Sequence, residues 1–131
     1  MLYDPQSALA KLKASALPYP PQLREALIRR FQWEIPFSVK NADCSGEQMH
    51  VAGCVYRALA CIAQVLFALN ERHLINEKRA LSEAAVFPLT IPALMPRVAE
   101  IWRLIGGKQF EPALAALREI DQKALTTVPQ A

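Results

Sequence analysis

One run of the sequence has residue types and spacing that could form a binding surface. At about 100° per residue, His50, Gly53, Cys54, Arg57, Cys61, Gln64, Ala68 and Glu71 share one face of a continuous helical stretch. Val55, Leu59, Ile62, Leu66 and Leu69 fall on the other side. Small residues leave room beside Arg57 and Gln64, so this face could line a groove for a ligand or a second domain. It could equally be internal. Arg57 would then pair with an acid of a neighbouring helix, Glu34 or Glu100, and Gln64 would bond across the fold. Gly53 and Ala68 would let helices approach closely. In either case Arg57 needs a partner, because an unpaired buried charge costs several kcal/mol.

His50 and Cys54 stand four residues apart and could share a metal ion. Cys61 lies about 10 Å further along the helix, too far to join them. A third ligand would have to come from elsewhere, and His73 is the only other histidine. Buried, inert cysteine is the simpler reading, and no metal site is expected. The acids Asp43 with Glu47, and Glu71 with Glu77, read as solvated helix ends. Gly106-Gly107-Lys108 follows a helix, which makes it a C-terminal stop instead of a phosphate cradle. No Ser-His-Asp order, Gly-rich phosphate loop or HExxH is present, so no catalytic residue is assigned.

The stretch ALNERHLINEK, residues 68–78, closes the long apolar run with polar residues. Arg72 and His73 suit a helix C-terminus, and Asn76 can cap a helix beginning at Glu77. Asn70 and Glu71 continue the side that carries Arg57 and Gln64.

Helical spacing must position these residues, since alternating apolar and polar runs are nearly absent. Asp4 and Pro5 suit a helix start, and LPYPP breaks the chain. Pro21 can open the next helix, where Leu23, Leu27, Phe31 and Ile35 recur every four positions. Pro36 is expected to kink or end it, and residues 41–47 to turn. The longest helix is expected from about Gln48 to about Arg72, and a shorter one from about Glu77 to Phe87. FPLTIPALMP reads as an extended connection. Another helix follows from Arg97 to Ile105, stopped by Gly106-Gly107, and Pro112 opens the last, through about Leu125. The expected fold is all-α, an antiparallel bundle of four main helices plus short ones. Leu27, Phe31, Leu59, Ile62 and Leu66 should share its core, with Trp102 packing from a late helix.

The 131 residues, 53% hydrophobic, make one ordinary domain. Lys and Arg number 15 against 12 acids and are interspersed with them, which argues against a nucleic-acid surface but allows an anionic small molecule. Cys44, Cys54 and Cys61 are an odd set without CxxC spacing, as in reduced intracellular proteins. The N-terminus lacks the order of a signal peptide. Arg57 and Gln64 interrupt the longest apolar run, making it a poor membrane span. A cytoplasmic location, without membrane contact, is expected.

Several stretches together resemble a known group: LYDP, YPPQLREALIRRFQWE, and VAGCVYRALACIAQVLFALNERHLINEK. They are similar to the helical C-terminal region of the nucleotidyltransferase superfamily, which includes DNA polymerase β and the kanamycin-type nucleotidyltransferases. Bacterial members with a helical domain behind the catalytic one are the best match. The resemblance covers roughly residues 2 to 82, with FALNERxLxNEK its most specific part. In that family an α/β domain carries a Gly-Ser turn and a D-x-D pair for nucleotide phosphates and metal. This sequence has neither, only Ser45-Gly46 in reverse order.

The resemblance therefore implies an accessory domain, with residues 1–20 as a linker or short helix from a missing N-terminal catalytic domain. Such a domain packs on its catalytic partner, in cis or in trans, and holds a small-molecule acceptor. Arg57, Gln64, Asn70, Glu71 and Lys78 are the implied substrate contacts. Mg and a nucleoside triphosphate would belong to the catalytic domain alone. The family is also similar to helical HEPN modules, so an interaction module that forms a homodimer or binds a separate partner is the alternative. The R-x4–6-H motif of RNA-cutting HEPN proteins is missing, because His73 directly follows Arg72.

Overall fold

The computed structural model describes residues 7–43 and 46–128. The proposed helix start at Asp4 and Pro5 lies outside these, as do Cys44 and Ser45. The described chain is all-α: α1 Ala8–Ala16, α2 Pro21–Asp43, α3 Gln48–Leu69, α4 Ala80–Ala84, α5 Leu94–Gly106 and α6 Phe110–Thr127.

Pro21 opens α2, where its missing N–H is not needed. Of the two outcomes expected at Pro36, a kink or an end, the helix does not end there and continues through Asp43. Pro36 is exposed, while Ile35, Ser38, Val39 and Ala42 on either side of it are buried. The lost hydrogen bond costs about 3 kcal/mol or more. Burial of two further turns against the core offsets it.

Glu47 caps α3 by accepting hydrogen bonds from the N–H groups of Met49 and His50, both at 2.9 Å. These bonds hold its carboxyl below the usual range. It is thus a capping acid and not merely a solvated one. Between residues 62 and 69 every side chain but Gln64 is buried. The helix ends at Leu69, three residues before the expected Arg72. There the Glu71 N–H bonds to the Ala68 carbonyl at 3.1 Å and the Arg72 N–H to the Phe67 carbonyl at 2.9 Å. This is a Schellman closure, and Glu71 occupies its left-handed position with φ 55°.

The segment expected to be helical from Glu77 to Phe87 is mostly turn. Asn76 accepts from the Lys78 N–H at 2.9 Å, but only as a local turn, and α4 is five residues long. α5 starts at Leu94, ahead of the expected Arg97, because Pro96 lies in its first turn, where no N–H is required. Pro112 has the same place in α6, which begins at Phe110. At the end of α5 the Gly106-Gly107 pair is followed by a second Schellman closure. The Lys108 N–H reaches the Ile105 carbonyl at 3.0 Å and the Gln109 N–H reaches that of Leu104 at 2.8 Å. The left-handed residue is Lys108, φ 57°, and neither glycine.

α3 is the central element: α2 lies along it, and α4, α5 and α6 also pack against it. α6 closes on α2 and α5 as well. The Gln48 side chain at the start of α3 donates to the Ile105 carbonyl near the end of α5 at 3.0 Å. Asn70, just past the end of α3, bonds to Leu89, just ahead of α5. The two helices therefore run in opposite directions. Leu59, Ile62, Leu66 and Phe31 lie in the core, with Leu27 half-buried against it. Trp102 does not; 37% of it is exposed. α3 has the length of a membrane span and contains an 18-residue stretch of mean hydropathy 1.8, but 61% of that stretch is buried by the rest of the chain. α1 packs on no other helix and buries no residue.

Candidate functional site

A half-open groove of about 480 Å³ runs between α3 and α5. Tyr56, Leu59, Ala60, Ala63 and Gln64 of α3 form one side, one helical face at intervals of three and four residues. Met95, Val98, Ala99 and Trp102 of α5 form the other by the same spacing. Leu74, Glu77, Arg79 and residues 80–82 close it from the connection and α4. The small side chains of Ala60, Ala63 and Ala99 keep the two helices from filling the space between them. Leu59 and Ala63 are buried there, while Tyr56 and Trp102 stand partly in solvent.

Gln64 is the one expected site residue that lines this groove. Its amide has no hydrogen-bond partner among the described residues. Arg57 turns instead toward α2. Its guanidinium Nε donates to Glu34 at 3.0 Å, and its terminal nitrogen bonds to the same oxygen. Arg30 donates to the other Glu34 oxygen at 3.3 Å, and the Cys61 thiol contacts the carboxylate at 3.6 Å. Burial pushes the Glu34 carboxyl up, but the bonds from Arg57 and Arg30 outweigh it and hold it below the usual range. Arg57 is thus paired with one of the two acids named from sequence. Its side chain is 51% exposed, so the pair sits at the surface instead of inside.

Asn70 is a clamp between loops. Its amide nitrogen donates to the carbonyls of Leu66 and Leu89, both at 2.7 Å, and its oxygen accepts from the Leu89 N–H at 3.0 Å. Glu71 caps α3 and does not reach the groove rim. Lys78 is exposed, and its neighbours Glu77 and Arg79 line the groove in its stead. The stripe seen in sequence is therefore split between an ion-pair network on the α2 side and a groove on the α5 side.

His50 Nε2 lies 3.5 Å from the Cys54 sulfur. Among the described residues, no group of three or more His, Cys, Asp or Glu could hold a metal ion. His73 Nε2 lies 3.0 Å from the Ala16 carbonyl, and the ring packs on Tyr19 at 4.7 Å. Among the described residues, the buried Tyr19 hydroxyl and Arg24 Nε have no hydrogen-bond partner.

Sequence reasoning missed Tyr56, Arg79, Ser82 and Trp102. For Tyr56 a signal existed, since it is three and four residues from Leu59 and Ala60 on the same helix. Arg79 and Ser82 depend on how residues 70–79 fold back, which no local spacing encodes. No family model matches the chain, and no curated protein or solved structure is significantly similar to it.

Proposed function

We propose that this chain is a helical accessory module that packs against a partner through the α3–α5 groove, of the kind that stands behind a nucleotidyltransferase domain. The observation that carries this reading is the groove itself. Its volume is in the range of natural binding clefts, about 300–1,000 Å³. Its walls are apolar, its floor offers one unpaired amide, Gln64, and its margin carries one acid and one base, Glu77 and Arg79. Such a surface suits an apolar element of a protein or an acceptor molecule with an apolar body. In this reading α2, α3, α5 and α6 form an antiparallel four-helix bundle, α1 and α4 are additions to it, and the protein is cytoplasmic. Nucleotide and Mg would be held by the catalytic partner.

The alternative, an interaction module that associates with itself, is favoured by a separate observation. Trp33 and Phe37 stack at 5.3 Å on the outside of α2 while 66% and 52% exposed.

The test is to co-express the chain with a nucleotidyltransferase domain encoded in frame or alongside it, and to measure association by sedimentation. Ala99→Arg, on the exposed wall of the groove, should abolish the complex. Ala115→Arg, exposed on α6 away from the groove, should not. Equal binding by both variants would remove the groove from the interface.

A further inference from the structure

We propose that the outer face of α2 is the seam of a homodimer, in which two copies of this chain pair their second helices antiparallel about a two-fold axis. The proposal rests on the self-association reading above and names its surface. The α3–α5 groove, to which α2 contributes no residue, stays open to its partner.

α2 runs for 23 residues and buries Phe31, Ile35, Ser38, Val39 and Ala42. The side turned away from these carries Gln22, Ala26, Arg29, Trp33, Phe37 and Lys40, at intervals of three and four residues, and each of them is exposed. That is the spacing of helices that pair along their length. A face meant only for water would be polar throughout. This one has at its middle Trp33, 66% exposed, and Phe37, 52% exposed. Their rings stack at 5.3 Å with 14° between their planes, so the two make one flat apolar surface. Pro36, also exposed, lies beside them.

The charges along the seam select the occupant. Glu25, Arg29 and Lys40 are exposed, and among the described residues none of the three is in an ion pair. Arg30, the next cation on this side, is held by Glu34 of its own chain at 3.3 Å. A partner of one charge sign would leave either the acid or the two bases unmatched. A second copy turned end for end matches all three. With Trp33 on the two-fold axis, each Trp33 meets its counterpart. Arg29 and Phe37 lie four residues to either side, so the guanidinium of each copy faces the Phe37 ring of the other. Ala26 and Lys40 lie seven residues to either side. The lysine stem therefore crosses a small side chain, and its ammonium reaches the adjacent Glu25 of the second copy. Every contact occurs twice, as an isologous interface requires.

Sedimentation equilibrium of the full chain, from micromolar to millimolar concentrations, tests this. A seam of one helix per copy is smaller than the roughly 800 Å² per partner of a standard interface, so a concentration-dependent dimer is expected. Trp33→Ala should raise its dissociation constant about tenfold or more, as for an aromatic at the centre of an interface. Glu25→Lys and Lys40→Glu should each weaken the dimer, because each sets like charges together across the seam. An equimolar mixture of these two variants should restore it, since every facing pair is then opposite in charge. Ala99→Arg, in the groove, should leave the dimer intact. All four positions are exposed, so circular dichroism should show each variant folded. A wild type that stays monomeric would overturn the seam together with the self-association reading. A dimer that tolerates Trp33→Ala, that the mixture of charge variants fails to restore, or that Ala99→Arg breaks would overturn the seam alone and move the association to another surface.

Discussion

Asn70 and the backbone of Leu89 exchange two hydrogen bonds, the amide nitrogen donating at 2.7 Å and the amide oxygen accepting at 3.0 Å. The side chain mimics a peptide group and joins the end of α3 to the connection that leads into α5. Asn70→Ala should lower stability by about 0.5–1.5 kcal/mol, the net worth of a hydrogen bond, since the Leu89 backbone groups it leaves are exposed to water. Urea unfolding checks this. A loss too small to resolve would mean that water replaces the clamp and that Asn70 is free for another role.

Two helices close with a non-glycine residue in the left-handed position, Glu71 after α3 and Lys108 after α5. That conformation costs an L residue roughly 1–2 kcal/mol. Glycine avoids the cost but gives back part of the gain through its freer unfolded chain. Glu71→Gly and Lys108→Gly should each stabilise the fold by about 0.5–1 kcal/mol. A rise in the urea midpoint with unchanged slope is the expected result, and a fall for Glu71→Gly would show that its carboxylate contributes more than its backbone strain removes.

The Arg57 side chain is half in solvent, although Glu34 is only 18% exposed, so Arg57→Ala should cost about 1 kcal/mol. The 3–5 kcal/mol expected of a buried pair does not apply. A double-mutant cycle with Glu34→Gln isolates the pair. A coupling well above about 1 kcal/mol would show that Arg30, Glu34, Arg57 and Cys61 act as one network.

Burial pushes the Cys61 thiol up to about 11, with the Glu34 charge adding to the effect and Arg57 opposing it. The folded state therefore disfavours the thiolate. This contribution is intact below the ordinary thiol range, near 9, and is lost as pH rises through about 11. It amounts to roughly 3 kcal/mol. The chain should lose stability across that window, and Cys61→Ala should flatten the loss. An unchanged alkaline limb in the variant would place the titration elsewhere, for example at the buried Tyr19, whose hydroxyl burial also pushes up.

The helices with strong periodicity were legible in the sequence. Pro21 and Gln48 begin helices as expected, and Leu59, Ile62 and Leu66 face inward. The rule for proline is local and leaves a kink or an end open at Pro36; the burial of Val39 and Ala42, which carries the helix on, is tertiary. The Glu34 partner of Arg57 is one of the two acids of neighbouring helices that the sequence offers. Gln64 was found through its small neighbours. Asn70, Glu71 and Lys78 looked like a site because they are polar beside an apolar run. Two of them are the fastenings of a helix end, whose partners lie up to 19 residues away. Trp102 was assigned to the core on hydrophobicity, but the alanines opposite it leave a groove there.

The central place of α3 has a consequence for biosynthesis. Of the described helices that pack on it, only α2 precedes it out of the ribosome. The surfaces that complete the burial belong to α4, α5 and α6, the last two ending at Gly106 and Thr127. For some 40–60 residues of synthesis, at about 5–20 residues per second, a membrane-like helix is therefore open on one side. Nascent chains arrested before α6 should be caught by chaperones that bind apolar segments, and full-length chains should escape them.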